Sequence, residues 1–262
     1  MVLIELTKEI RNWVQSLSLN LFYVLVLFSS LSPLTYGQDS PAIEARADQI
    51  LRQMSEYLKS ATEFTFKADI TYDTVMADGQ KILFGAELNV AVRRPDLIHI
   101  EYTGDEQKRQ VIIDGQKATV YYADTNTYAS FEITGKLDDV LDYAYQTYGI
   151  SVPVADLVYS DAYQTLIEYV QSGYRIGLHS VEGVPSHHLV FSQEAIDWQI
   201  WIEDGPRPVP TKMVITYKND PGSPQYTATL SEWNFNPRVS DHYFQFQPPG
   251  GSDEIEFLEN IQ

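Results

Sequence analysis

The sequence predicts an α+β protein: one strongly curved antiparallel sheet of about eleven strands, with an N-terminal helix and a helical insertion covering the concave face. Three observations predict it. Apolar and polar residues alternate in short runs between turn residues, which is the period of a half-buried strand. One stretch ahead of these runs repeats at three and four residues, the period of a helix. A second helical stretch, residues 136–173, separates six strand runs from five more. This order is not the βαβ alternation of a parallel sheet.

Residues 1–37 read as a secretory signal peptide. The apolar run Leu17–Phe28 is shorter than the roughly 20 residues that cross a bilayer, and it fits the hydrophobic region of an export signal. Lys8 and Arg11 precede it, offset by Glu5 and Glu9, and Thr35-Tyr36-Gly37 supplies small residues for cleavage after Gly37. The alternative is an uncleaved anchor extended through Leu31. No cysteine follows the run, so lipoprotein acylation is excluded. Cleavage would leave no stable membrane anchor. Residues 38–262 read as a single domain, since no linker or internal repeat divides them.

Pro41 to Lys59 reads as an amphipathic helix, with Asp39 or Ser40 as N-cap and an apolar stripe of Ile43, Ala47, Ile50, Leu51, Met54, Tyr57 and Leu58. Alternation then begins at Phe64 to Tyr72, turns at Asp78-Gly79 and continues from Ile82 to Val92. Further strands follow at Leu97–Tyr102, Gln107–Ile113, Ala118–Tyr122 and Tyr128–Ile133. Within the insertion, one short helix ends near Gly149. A second spans Pro153 to Val170 and is open to a break at Tyr159-Ser160-Asp161. Strands resume at Tyr174–Val181, Ser186–Ser192, Ile196–Glu203, Pro210–Lys218 and Gln225–Asn234, and Tyr243–Gln247 is a candidate to close the set.

Composition narrows the function. The 262 residues carry 36 acidic and 18 basic side chains, a formal charge of -18. That balance excludes nucleic acid, whose phosphates need clustered Lys and Arg, and it disfavours anionic lipid surfaces. With no cysteine there is no disulfide, thiolate metal site or cysteine nucleophile. The five histidines, His99, His179, His187, His188 and His242, show no zinc-binding helical spacing. Asp138, Asp139 and Asp142 fall in the first turns of a helix, where carboxylates complement the dipole. No Gly-x-Ser-x-Gly elbow or glycine-rich phosphate loop occurs. The reading is therefore a protein with no catalytic residues, no metal and no cofactor.

What remains is apolar surface. Phe64, Phe66, Ile70, Tyr72, Phe84, Leu88, Ile98, Ile100, Tyr102, Trp198, Ile200, Met213, Ile215 and Trp233 fall on inward-reading strand positions. They fit two descriptions: a core filled by side chains, or a hydrophobic groove that holds an acyl chain at about 0.8 kcal/mol per buried methylene.

Several motifs carry a family resemblance. Residues 195–217 read AIDWQIWIEDGPRPVPTKMVITY, and Leu230-Ser231-Glu232-Trp233 extends them. Arg93-Arg94-Pro95-Asp96 with Leu97-Ile98-His99-Ile100 is a second match, and Asp114-Gly115 with Val120-Tyr121-Tyr122 a third. Over roughly residues 42–248 the chain resembles an uncharacterised family of predicted periplasmic proteins with the LolA/LolB-like lipoprotein-carrier architecture, an incomplete β-barrel capped by helices. The resemblance implies a periplasmic or secreted binding protein, with a lipid or a lipoprotein as partner. A sensor or scaffold domain binding another envelope protein is the competing class. It also implies that Arg93 or Arg94 latches a helical lid through backbone carbonyls, the alternative being an ordinary ion pair at a strand end. If residues 136–173 are that lid, its tyrosines, Tyr143, Tyr145, Tyr148, Tyr159, Tyr163 and Tyr169, suit a groove mouth.

Overall fold

A computed structural model describes residues 42–148 and 154–257. The expected signal peptide, its cleavage point and the helix cap at Asp39 to Pro41 lie outside the described residues.

Among the described residues one sheet of thirteen strands forms. In chain order the strands are β1 (Ala42–Ile43), β2 (Glu63–Val75), β3 (Lys81–Arg93), β4 (Leu97–Gly104), β5 (Lys108–Asp114), β6 (Lys117–Tyr122), β7 (Thr127–Glu132), β8 (Ser172–Val181), β9 (Val184–Ser192), β10 (Ile196–Glu203), β11 (Pro210–Tyr217), β12 (Gln225–Asn234) and β13 (Asp253–Glu254). Their spatial order is β1-β8-β9-β10-β11-β12-β2-β3-β4-β5-β6-β7-β13. The pairing of β12 with β2 joins the two halves of the chain at the centre of the sheet. The eleven long strands are the expected ones and pair antiparallel; the two-residue β1 and β13 pair parallel at opposite edges, and the curved sheet stays open.

Among the described residues the helices are α1 (Ala45–Ser60), α2 (Leu137–Tyr148) and α3 (Ala162–Ile167), with a 3-10 turn at Ala155–Leu157. The break expected near Tyr159-Ser160-Asp161 is present, because the Asp161 side chain accepts from Gln164 N and starts α3 afresh. Apolar residues of α1 and of residues 137–170 join the inward strand residues in one buried cluster. Both helical segments thus turn their apolar stripes toward the sheet, as amphipathic periodicity requires.

Two expectations are corrected. The N-terminal helix begins at Ala45, not Pro41: Ala42 and Ile43 extend the sheet edge beside Ser172 and Gly173, and Glu44 N donates to the Gly173 carbonyl at 2.8 Å. Ladder hydrogen bonds there replace a helical turn whose donors have no intrahelical partner. Tyr243–Gln247 is not a strand. Asp241–Phe244 is a 3-10 turn in a strap that crosses the back of the sheet before β13 pairs with β7. His99, which faces away from Ile98 and Ile100, binds the Tyr243 carbonyl through Nδ1 at 2.6 Å. The strap seals Ala91, His99, Ile112 and Thr119 on that back face, with Phe244 only 1% exposed. The strap explains why β4 and β6 are buried on both faces rather than alternating.

Candidate functional site

Register gathers the inward residues into cross-strand rows. One row runs Trp198, Ile215, Tyr226, Tyr72, Phe84 across β10, β11, β12, β2 and β3. Others pair Ile200 with Met213, Phe64 with Val92 and Ile98, and Leu88 with Tyr102. Of the expected groove residues, Phe64, Phe66, Ile70, Leu88, Ile98, Ile100, Tyr102, Trp198, Ile200, Met213 and Ile215 are buried. Phe84 and Trp233 are half-buried. Trp233 stacks on Phe66 at 4.4 Å, and Phe191 on Trp198 at 4.2 Å. In this conformation the helices lie on these side chains.

Among the described residues, polar contacts tie the insertion to the strand ends and to α1. Arg94, in the turn just after β3, donates from its guanidinium to the carbonyls of Val158 at 2.7 Å and Tyr159 at 3.3 Å. Its guanidinium lies over the Phe64 ring, and burial lowers its pKa. Leu137 N donates to the Pro95 carbonyl. Asp138 accepts from Ser160 N and Oγ, and Tyr159 donates to Asp142 at 2.8 Å. On the α1 side, Tyr163 donates to Asp48 while Arg52 donates to the Tyr163 hydroxyl and covers its ring. Arg93 does something different: it binds Glu63, Asp241 and the Val239 carbonyl, tying β3 to the C-terminal strap. Among the insertion tyrosines, Tyr159 and Tyr163 are buried, while Tyr143 and Tyr169 are exposed.

The chain enters the 3-10 turn through Val154 at φ 54 and ψ 22, a left-handed conformation that a β-branched residue rarely adopts. Two residues on, Asp156 is 3% exposed, and its Oδ1 has no hydrogen-bond partner. Burial pushes its carboxyl up to about 6. The hydroxyls of Tyr217 and Tyr226 and Nε1 of Trp198 are also buried without partners. None of these four was singled out in the sequence for a polar role. The available signal is a lone acid in Val154-Ala155-Asp156-Leu157-Val158, where an ordinary surface carboxylate is out of place.

On the outer face His188 stacks on Trp201 at 3.9 Å and binds Gln199 and His179. Among the described residues no group of three or more His, Asp or Glu is arranged to hold a metal ion. No described helix is long and apolar enough to cross a membrane. At the sheet edge, β1 pairs with β8 only as far as Gly173, and Tyr174, Ile176 and Leu178 beyond it are exposed.

A family model described as "Predicted periplasmic protein (DUF2092)" matches residues 47–258. No curated protein matches the chain. Among solved structures, an uncharacterized conserved protein from Thermus thermophilus is 12% identical at a TM-score of 0.48, over 80% of this chain and 99% of that one. The Mycobacterium tuberculosis lipoprotein LppX is 15% identical at a TM-score of 0.42, over 74% and 98%. A LolA superfamily protein from Nitrosomonas europaea is 10% identical at 0.39, over 76% and 97%.

Proposed function

The chain belongs to the DUF2092 family of predicted periplasmic proteins, and from that premise we propose that it is an exported, non-enzymatic binding protein. Cleavage near Gly37 releases it. Its ligand is an acyl chain, a lipid or the lipid of a lipidated protein, held against the concave face once the helical insertion moves aside. The observation that supports this reading is how the insertion is seated. It covers a continuous aromatic and aliphatic face, yet its main-chain tie to the strand ends runs through Arg94, Val158, Tyr159 and the Leu137–Pro95 bond. Such a cover exchanges side-chain packing for ligand packing without breaking the sheet ladder.

Native mass spectrometry and lipid extraction of the purified protein test it. Co-purified acyl species, or fluorescent fatty acid bound at micromolar level, is the expected result. An empty protein that binds no such probe overturns the reading.

A second reading, an envelope sensor or scaffold that binds another protein through the same sheet, is favoured by the exposed edge of β8 with Tyr174, Ile176 and Leu178. Recovery of a partner protein that is lost on Ile176→Lys, with no lipid present, would decide for it.

A further inference from the structure

The inside of the sheet is not uniformly apolar. The register places Trp198 and Tyr226 in one cross-strand row, with Ile215 between them. Tyr217 lies two residues along β11 from Ile215 and pairs with Ile196, two residues from Trp198 on β10. Residues two apart on a strand share a face, so these three side chains are neighbours under the insertion. Each has a buried polar atom without a partner: the two hydroxyls and the indole N–H. Asp156 comes down from the insertion and adds an unpartnered carboxylate oxygen. Its charge is among the causes that raise the pKa of both Tyr217 and Tyr226, after burial, so the carboxyl lies within electrostatic reach of both hydroxyls.

Buried polar atoms in folded proteins nearly always have partners, and four orphans in one neighbourhood call for an explanation. None of the four pairs with another. The set is one strong acceptor, two hydroxyls and one N–H donor. An ammonium group could donate to the carboxylate but would leave the indole N–H unmatched. A carboxylate or phosphate could accept from the donors but would meet the Asp156 charge in a buried setting, where like charges repel more strongly than at the surface. A hydroxyl both donates and accepts.

We propose that Asp156, Tyr217, Tyr226 and Trp198 form the polar end of the ligand site and recognise the hydroxylated, uncharged head group of an amphiphile. The proposal rests on the reading of the concave face as a ligand site and specifies which end of the ligand is read.

The test compares three twelve-carbon probes by calorimetry on the purified protein at neutral pH, below their micelle concentrations: glycerol monolaurate, laurate and dodecylamine. Glycerol monolaurate is expected to bind about tenfold more tightly than either charged probe, the effect of about one well-made hydrogen bond. Asp156→Leu and Tyr226→Phe should each erase that preference: Tyr226→Phe by weakening glycerol monolaurate about tenfold, and Asp156→Leu by weakening glycerol monolaurate while tightening laurate, because it removes the charge that laurate meets. Circular dichroism reports on folding, and Tyr226→Phe keeps the ring if Asp156→Leu perturbs the insertion. Equal binding of all three probes, or a preference that survives both variants, overturns the head-group proposal and leaves the apolar site standing. Failure of all three probes to bind overturns the ligand-site reading itself, and this proposal with it.

Discussion

Arg94 Nη1 donates to the Val158 carbonyl at 2.7 Å, joining the end of one strand to a turn 64 residues later in the chain. Replacing Arg94 removes this bond and the one to Tyr159, and leaves two part-buried carbonyls to find new donors. Arg94→Ala should cost about 2 kcal/mol, in the range for hydrogen bonds from charged groups. Hydrogen exchange should accelerate in residues 154–170 and stay unchanged in β9 to β12. Arg93→Ala, whose partners lie on the strap, should leave exchange of the insertion at the wild-type rate.

Asp156 titrates in a direction that weakens the fold as pH rises. Unfolded, its carboxyl has a pKa of 3.8; buried, it rises to about 6. The folded protein keeps a proton the unfolded chain has released, so stability is greatest below about 4 and falls as pH climbs to about 6. The full effect is about 3 kcal/mol. His99, His187 and His188 act oppositely: burial lowers their pKa, so their contribution is lost as pH falls through the ordinary imidazole range. The comparison with Asp156→Asn isolates the carboxyl. Thermal unfolding should show the variant gaining on wild type between pH 4 and pH 7, and parallel curves would show that Asp156 ionises freely in the folded state.

Gly173 has no room for a methyl group. A Cβ there would lie 2.3 Å from Phe191 Cδ1 and 3.2 Å from the Val190 carbonyl, and Phe191 is itself stacked on Trp198. Gly173→Ala should cost about 1–3 kcal/mol through overpacking. Chemical denaturation measures it.

Phe244 anchors the strap. It is 1% exposed, next to Tyr243 whose carbonyl is bound by His99. Phe244→Ala should cost about 3–5 kcal/mol and bare the back of β4 to β6. Dye binding to that newly exposed apolar surface, together with the denaturation midpoint, checks it.

Much of this was legible in the residues. The two-residue alternation of Phe64, Phe66, Ala68 and Ile70 can only bury one face, so β2 and its inward side followed from sequence. The same held for Trp198 and Ile200 on β10. The start of the N-terminal helix was not legible, because Ala42 and Ile43 suit a helix equally well until Ser172 and Gly173 arrive beside them. The strap was not legible either. Tyr243-Phe244-Gln245-Phe246 alternates like a strand, and only contact with His99 and Arg93 turns it into a cover.

The amino-acid sequence by itself determined the long strands, the helical insertion and the identity of the apolar face, because periodicity and turn residues are local properties. The tertiary structure alone decided which polar groups are trapped inside that face. Asp156 lies in the helical insertion, well before the consecutive strands β10, β11 and β12 that carry Trp198, Tyr217 and Tyr226. Their shared burial depends on strand register and on where Arg94 seats the insertion. A carboxylate on a surface and one in a core have the same letter in the sequence. Desolvation distinguishes them, and desolvation exists only once the chain has closed around the group.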